Sequence, residues 1–186
     1  MKKIVYAFAL ASVFCSLNAC GGGKSKSVED PKVLVAYFSA TGTTATVAEQ
    51  LSEVTGASLY EIKPEVPYTA EDLDWRDKQS RSSLEMDDPS SRTAFVKDLE
   101  DASSYDIVYI GFPIWWNTAP RIINSFIEEY GFEGKTVVLF ATSGGSNLSK
   151  ANEDFRKAYP DIVWKDGKIL NGETAASIKA WVESLK

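Results

Sequence analysis

Lys32-Val33-Leu34-Val35-Ala36-Tyr37-Phe38 runs directly into Ser39-Ala40-Thr41-Gly42-Thr43-Thr44, and the join between the two decides the fold. The first seven residues are an apolar, β-branched run of strand length. Beyond the turn, about Thr44 to Thr55 sets Val47, Ala48, Leu51 and Val54 on one helical face and stops at Gly56, a residue suited to a left-handed helix end. A strand that turns through hydroxyl residues into a helix presents free backbone N–H groups and the positive end of the helix dipole. Such a turn seats a phosphate. It has no Lys or Arg, so it is not the lysine-bearing loop of nucleoside triphosphate enzymes, and Gly42 alone cannot supply a three-glycine dinucleotide pattern. One compact phosphate monoester fits it better than a polyphosphate. The same residues also describe an ordinary N-capped turn, since Ser and Thr favour that position anyway.

Outward from this join, short buried-strand runs alternate with helical stretches, the pattern of an α/β parallel sheet. The strands are expected at Val33 to Phe38, Ser58 to Ile62, Ile107 to Gly111, Thr136 to Ala141 and Ile162 to Trp164. A helix with Pro120 in its first turn aligns Ile122, Ile123, Phe126, Ile127 and Tyr130 before Gly131. Two more are expected from about Ser149 to Tyr159 and from about Glu173 to Leu185. Asp166-Gly167, between Val163-Trp164 and Ile169-Leu170, has the composition of a small hairpin. Lys63 to Arg92 is polar and aperiodic and too long for a plain loop, so a helix is expected within Ala70 to Glu85 and another near Arg92 to Ala102.

Residues 1–20 lie outside that pattern. Lys2 and Lys3 precede an apolar stretch from Ile4 to Phe14, far short of the ~20 residues that span a bilayer, and Leu17-Asn18-Ala19-Cys20 follows as a cleavage site. The ending resembles a bacterial lipoprotein signal in which Cys20 is lipidated, with a plain secretory cut near Ala19 as the alternative. Residues 21–30, opening Gly21-Gly22-Gly23-Lys24-Ser25-Lys26-Ser27, have the composition of a flexible tether, and 31–186 suffices for one domain. Export to the cell envelope, with membrane attachment through the lipid alone, is the expectation.

Composition excludes much. The chain has no histidine, which removes Ser–His and Cys–His hydrolysis and the commonest zinc ligand. Of its two cysteines, Cys15 departs with the leader and Cys20 is the lipidation residue, so the domain has no thiol for a disulfide, a nucleophile or a metal. With 20 basic and 26 acidic residues the net charge is −6, and removal of Lys2 and Lys3 takes it to −8. A domain so charged, without a basic stripe, repels nucleic acid and suits a basic protein partner.

Two further loops follow strands. Phe112-Pro113-Ile114-Trp115-Trp116-Asn117-Thr118-Ala119 carries adjacent tryptophans whose side chains must diverge, so at least one is expected to be a stacking platform rather than core. Ser143-Gly144-Gly145-Ser146-Asn147 lets backbone N–H groups approach a flat polar ring, because two residues lack a Cβ. Core aromatics, a protein contact or a simple turn remain the plainer alternatives. Together the three loops describe a cofactor with one phosphate tail and one flat heterocycle.

At these residues the chain resembles the flavodoxin family, over nearly all of Lys32 to Lys186. Ser39-x-Thr41-Gly42-x-Thr44 matches that family's phosphate loop, and the Gly-Phe-Pro-Ile-Trp-Trp segment matches its first flavin-stacking loop. The resemblance implies a doubly wound five-stranded parallel sheet in order 2-1-3-4-5, noncovalent FMN, and one- or two-electron transfer. It implies the phosphate on Ser39, Ala40, Thr41, Gly42, Thr43 and Thr44. The ring is expected against Pro113, Ile114, Trp115, Trp116, Asn117 and Thr118, with its polar edge along Ser143, Gly144, Gly145, Ser146 and Asn147. The third loop lacks the aromatic common in the family, and Asn117-Thr118 stands where many members carry a glycine. An electron carrier serving a redox protein or a quinone-type molecule is therefore expected. An FMN-dependent quinone or azo reductase, and a flavin-free interaction lipoprotein, are the alternatives.

Overall fold

The computed structural model describes residues 30–186, so the leader, Cys20 and all of the tether but Asp30 lie outside the described residues. Five parallel strands form one sheet in order β2-β1-β3-β4-β5. They are β1 (Val33–Tyr37), β2 (Ser58–Glu61), β3 (Ile107–Pro113), β4 (Thr136–Thr142) and β5 (Val163–Ile169). The helices are α1 (Thr43–Thr55), α2 (Arg81–Asp87), α3 (Arg121–Tyr130), α4 (Ser149–Ala158) and α5 (Ala175–Ser184).

The central strands are apolar throughout because both faces of the sheet are covered. Val35 and Tyr37 of β1, Tyr109 of β3, and Val138 and Phe140 of β4 face α1 and α5, meeting Val47, Ala48, Leu51 and Ile178. The alternate positions Leu34, Ala36, Val108, Ile110, Phe112, Val137 and Leu139 face α3 and α4, meeting Ile122, Ile123, Phe126, Ile127 and Phe155. Burial of each large side chain contributes about 1.5–3 kcal/mol, which makes these two layers the dominant stabilising feature. Gly56 ends α1 at φ 68°, its N–H bonded to the Ser52 carbonyl. Pro120 stands at the cap position of α3, one residue before its first turn.

Three expectations are corrected. Asp166-Gly167 makes no hairpin: β5 runs through it as a single strand, with a register irregularity opposite Val138 and Phe140. Gly167 is required there because a Cβ would come within 2.4 Å of the Leu139 carbonyl oxygen. The expected helix within Ala70 to Glu85 shrinks to α2, started by Ser80, whose side chain accepts from the Ser83 N–H. No helix covers Arg92 to Ala102. That stretch is extended, bridging antiparallel from Phe95 to Pro64, with the Val96 N–H donating to the Lys63 carbonyl at 2.8 Å. Phe95 is thereby buried while Val96 remains exposed.

All strands begin at one edge, where the Lys32 N–H donates to Asp106 Oδ2 at 2.9 Å. Asp30, Pro31, Leu185 and Lys186 line a hollow of about 610 Å³ at that edge, so both ends of the domain meet there. The loops with candidate chemistry lie at the opposite edge.

Candidate functional site

The strand order reverses direction between β1 and β3, and open parallel sheets hold ligands at the strand C-termini beside such a switch point. The loop after β1 lies there. Gly42 takes φ 89° at the head of α1, with no side chain capping the helix, so the first-turn N–H groups from Thr43 onward keep their donor capacity toward the loop mouth. The Gly42 N–H donates to Ser39 Oγ at 3.1 Å, which curls the loop. Thr41, Gly42 and Thr43 are exposed, Ser39 and Ala40 half-buried. Thr44 points inward and is buried, its hydroxyl 2.8 Å from that of Thr142 at the end of β4. A hollow of about 620 Å³ over the loop includes Thr41, Gly42, Thr43, Thr46 and Asn171. No Cβ placed on Gly42 would meet a neighbour within 4 Å, so the seat is open.

The loop after β3 separates its tryptophans. Ile114 continues the β3–β4 ladder, its N–H donating to the Thr142 carbonyl at 2.8 Å. Trp115 turns toward the core, edge-on to Phe38 and Tyr68 at centroid distances of 5.6 and 5.4 Å. Trp116 turns outward and is 44% exposed. Backbone hydrogen bonds join Trp115 and Thr118 in both directions, at 3.0 and 2.9 Å, around a tight turn with φ 46° at Trp116 and 64° at Asn117. Left-handed geometry at both central positions defines a type I′ turn. It strains a tryptophan by about 1–3 kcal/mol.

The third loop joins the second through Ser146, whose hydroxyl donates to Asn117 Oδ1 at 2.8 Å. Asn171 fixes its start, accepting from the Ser143 N–H at 2.9 Å and donating to the Ser143 carbonyl at 3.1 Å. Gly144 and Gly145 are exposed with open space around them. Asn147 accepts from the Ser149 N–H at 3.0 Å and so serves α4. Thr118, buried, donates to Asp154 Oδ2 at 2.7 Å. Burial acts to raise the Asp154 carboxyl, but hydrogen bonds from Lys150 and Thr118 outweigh it and hold the group below the usual carboxylate range.

The second and third loops share a cleft of about 470 Å³, lined by Ile114, Trp115, Trp116, Asn117 and Ser146. Leu73, Trp75 and Ser82 complete it from the crossover between β2 and β3. Those three escaped the sequence reading because they lie in a polar stretch without periodicity; a lone Trp in such a stretch was the available signal. Tyr68, from the same crossover, backs Trp115 and lies under the Arg81 guanidinium, 4.0 Å from its ring centre. Burial, and then its hydrogen bond to Glu85, push the Tyr68 hydroxyl well above the ordinary tyrosine range, so it stays protonated. Among the described residues no cluster of ligating side chains could hold a metal, and no helix is long and apolar enough to cross a membrane.

No curated protein matches the chain. The structure of a candidate flavoprotein from Bacteroides eggerthii DSM 20697 is 52% identical, with a TM-score of 0.82, and covers 84% of this chain and 98% of its own. A second, from Bacteroides uniformis ATCC 8492, is 53% identical with a TM-score of 0.80, covering 83% and 99%. A flavoprotein from Lactobacillus acidophilus NCFM, determined in complex with FMN, is 20% identical and shares the fold at a TM-score of 0.65, covering 84% and 99%. The flavodoxin family model matches residues 32–185, from the residue before β1 to the last residue but one, and the strand order is the one the loop resemblance implied. The chain belongs to the flavodoxin family.

Proposed function

We propose that this protein binds FMN noncovalently and passes electrons between a donor and an acceptor. The observation that carries the reading is the uncapped head of α1 on an open Gly42 loop, set beside a cleft walled by Trp116. The residues fit the group. Backbone N–H groups and the hydroxyls of Ser39, Thr41 and Thr43 suit a phosphate, which gains from the helix dipole without a lysine. Trp116 offers a flat face, and Asn117 and Ser146 offer polar groups to the edge of a heterocycle. The flavin, when bound, supplies the uptake and release of one or two electrons. The chain orients it, shields one face from water and sets the local charge. No side chain need act as acid or base.

A small-molecule reductase is the second reading, and Gly144-Gly145 favours it. These exposed residues leave the third-loop side without a covering aromatic, so a quinone-sized substrate could approach there. Attachment at the cell envelope through Cys20, with a redox protein or a quinone as partner, belongs to the same proposal and rests on residues 1–20 and on composition.

Titration of the flavin-free protein tests the binding claim. FMN should bind at least about tenfold more tightly than riboflavin, and Thr41→Ala with Thr43→Ala should remove about 1–2 kcal/mol from FMN alone, the scale of hydrogen bonds to a charged group. Equal affinities for the two ligands would refute the phosphate seat. Absence of binding by either would refute the function.

A further inference from the structure

The crossover between β2 and β3 places two side chains in the ring cleft that neither the phosphate seat nor the second loop accounts for. Trp75 is 64% exposed within a polar run, yet lines the cleft that Trp116, Asn117 and Ser146 share. An indole so open offers a flat apolar face to a ligand in the cleft. Its backbone is fixed rather than free. Asp72 accepts from the Thr69 N–H at 2.9 Å, Asp74 from the Arg76 N–H at 3.0 Å and Asp77 from the Gln79 N–H at 2.8 Å. The Arg76 guanidinium lies 4.4 Å from the centre of the Trp75 ring, on one face.

Ser82 lines the same cleft and is 1% exposed. Its N–H is engaged by the Asp72 carbonyl at 3.0 Å, but its hydroxyl has only Ser80 Oγ at 3.5 Å, beyond effective hydrogen-bond range. Ser80 is itself committed to Ser83, at 2.9 Å. A buried hydroxyl with unused capacity, beside an exposed indole in a cleft, is suited to a flat ligand with a polar edge. The third loop contributes no aromatic, and the crossover adds Trp75 to the two indoles that the second loop brings to this cleft.

We propose that residues 72–82 form a second wall of the flavin-ring pocket, with Trp75 laid against the ring system and Ser82 hydrogen-bonded to its polar edge. This rests on the flavin reading above and extends it to a segment on which that reading does not depend. The long crossover is then part of the binding site and not a surface embellishment.

The test titrates flavin-free wild type, Trp75→Ala, Trp75→Phe and Ser82→Ala with both FMN and riboflavin, beside Trp116→Ala and the Thr41/Thr43 variant. Trp75→Ala should weaken both ligands by the same factor, roughly fivefold to tenfold, and should brighten the fluorescence of the bound flavin. Trp75→Phe should restore most of the loss, and Ser82→Ala should cost about fivefold for both ligands. Trp75 lies outside the core, so its substitutions remain informative if Ser82→Ala fails to fold. Trp75→Ala within twofold of wild type for both ligands, with Trp116→Ala and the Thr41/Thr43 variant still weakened, would overturn the second wall and leave the flavin reading standing. A wild-type protein that takes up neither ligand would overturn both.

Discussion

The hydroxyl pair of Thr44 and Thr142 sets one member of the proposed phosphate loop apart from its neighbours. Thr44 ties the start of α1 to the end of β4, from a buried position, while Thr41 and Thr43 face outward. Thr44→Val keeps the shape and leaves the Thr142 hydroxyl buried without its partner, which should cost about 1–3 kcal/mol of folding stability. Denaturant unfolding of the flavin-free protein should show that loss, and the ratio of FMN to riboflavin affinity should move less than about threefold. A collapse of that ratio at unchanged stability would place the Thr44 hydroxyl on the phosphate instead. Sequence alone could not separate these roles, because Thr41, Thr43 and Thr44 are the same residue type, and only the packing of α1 against β4 determines which one turns in.

At the scale of elements, β5 shows why the same letters mislead. Asp-Gly between apolar pairs is a strong hairpin signal, but the second residue is used for close approach. A methyl group on Gly167 would lie 2.4 Å from the Leu139 carbonyl oxygen and 2.6 Å from a Leu148 methyl group, and neither a strand backbone nor a buried Leu yields easily. Gly167→Ala should therefore destabilise the protein by about 1–3 kcal/mol through overpacking, read as a lower denaturant midpoint. An unchanged midpoint would mean that the edge strand β5 is free to shift. The central strands were legible because burial on both faces leaves an unbroken apolar run. The crossover from Lys63 to Ala102 was not, since Phe95, Val96 and Leu99 satisfy a helical spacing while the backbone hydrogen bonds of Val96 and Glu65 make the segment extended. Trp75 and Ser82 were hidden for another reason: Trp75 stands among turns and Ser82 in the first turn of the short helix α2, so no period marks either.

At the scale of the whole molecule, the proposed anchor and the proposed cofactor site are separate. Cys20→Ser should move the protein from membrane to soluble fractions with its flavin titration unchanged, because anchoring would rest on acyl chains at ~0.8 kcal/mol per buried CH₂. A Cys20→Ser protein that stays with membranes after salt washing would end the lipoprotein reading. The position of the two chain ends adds a directional consequence. Asp30 and Lys186 border one hollow at the blunt edge of the sheet, and the ligand loops open at the other, a seven-residue strand away, roughly 23 Å. A support attached directly at Asp30 would adjoin the blunt edge and leave the cleft at the far edge of the sheet. With such an attachment, a freely diffusing partner would reach the cleft without passing the support.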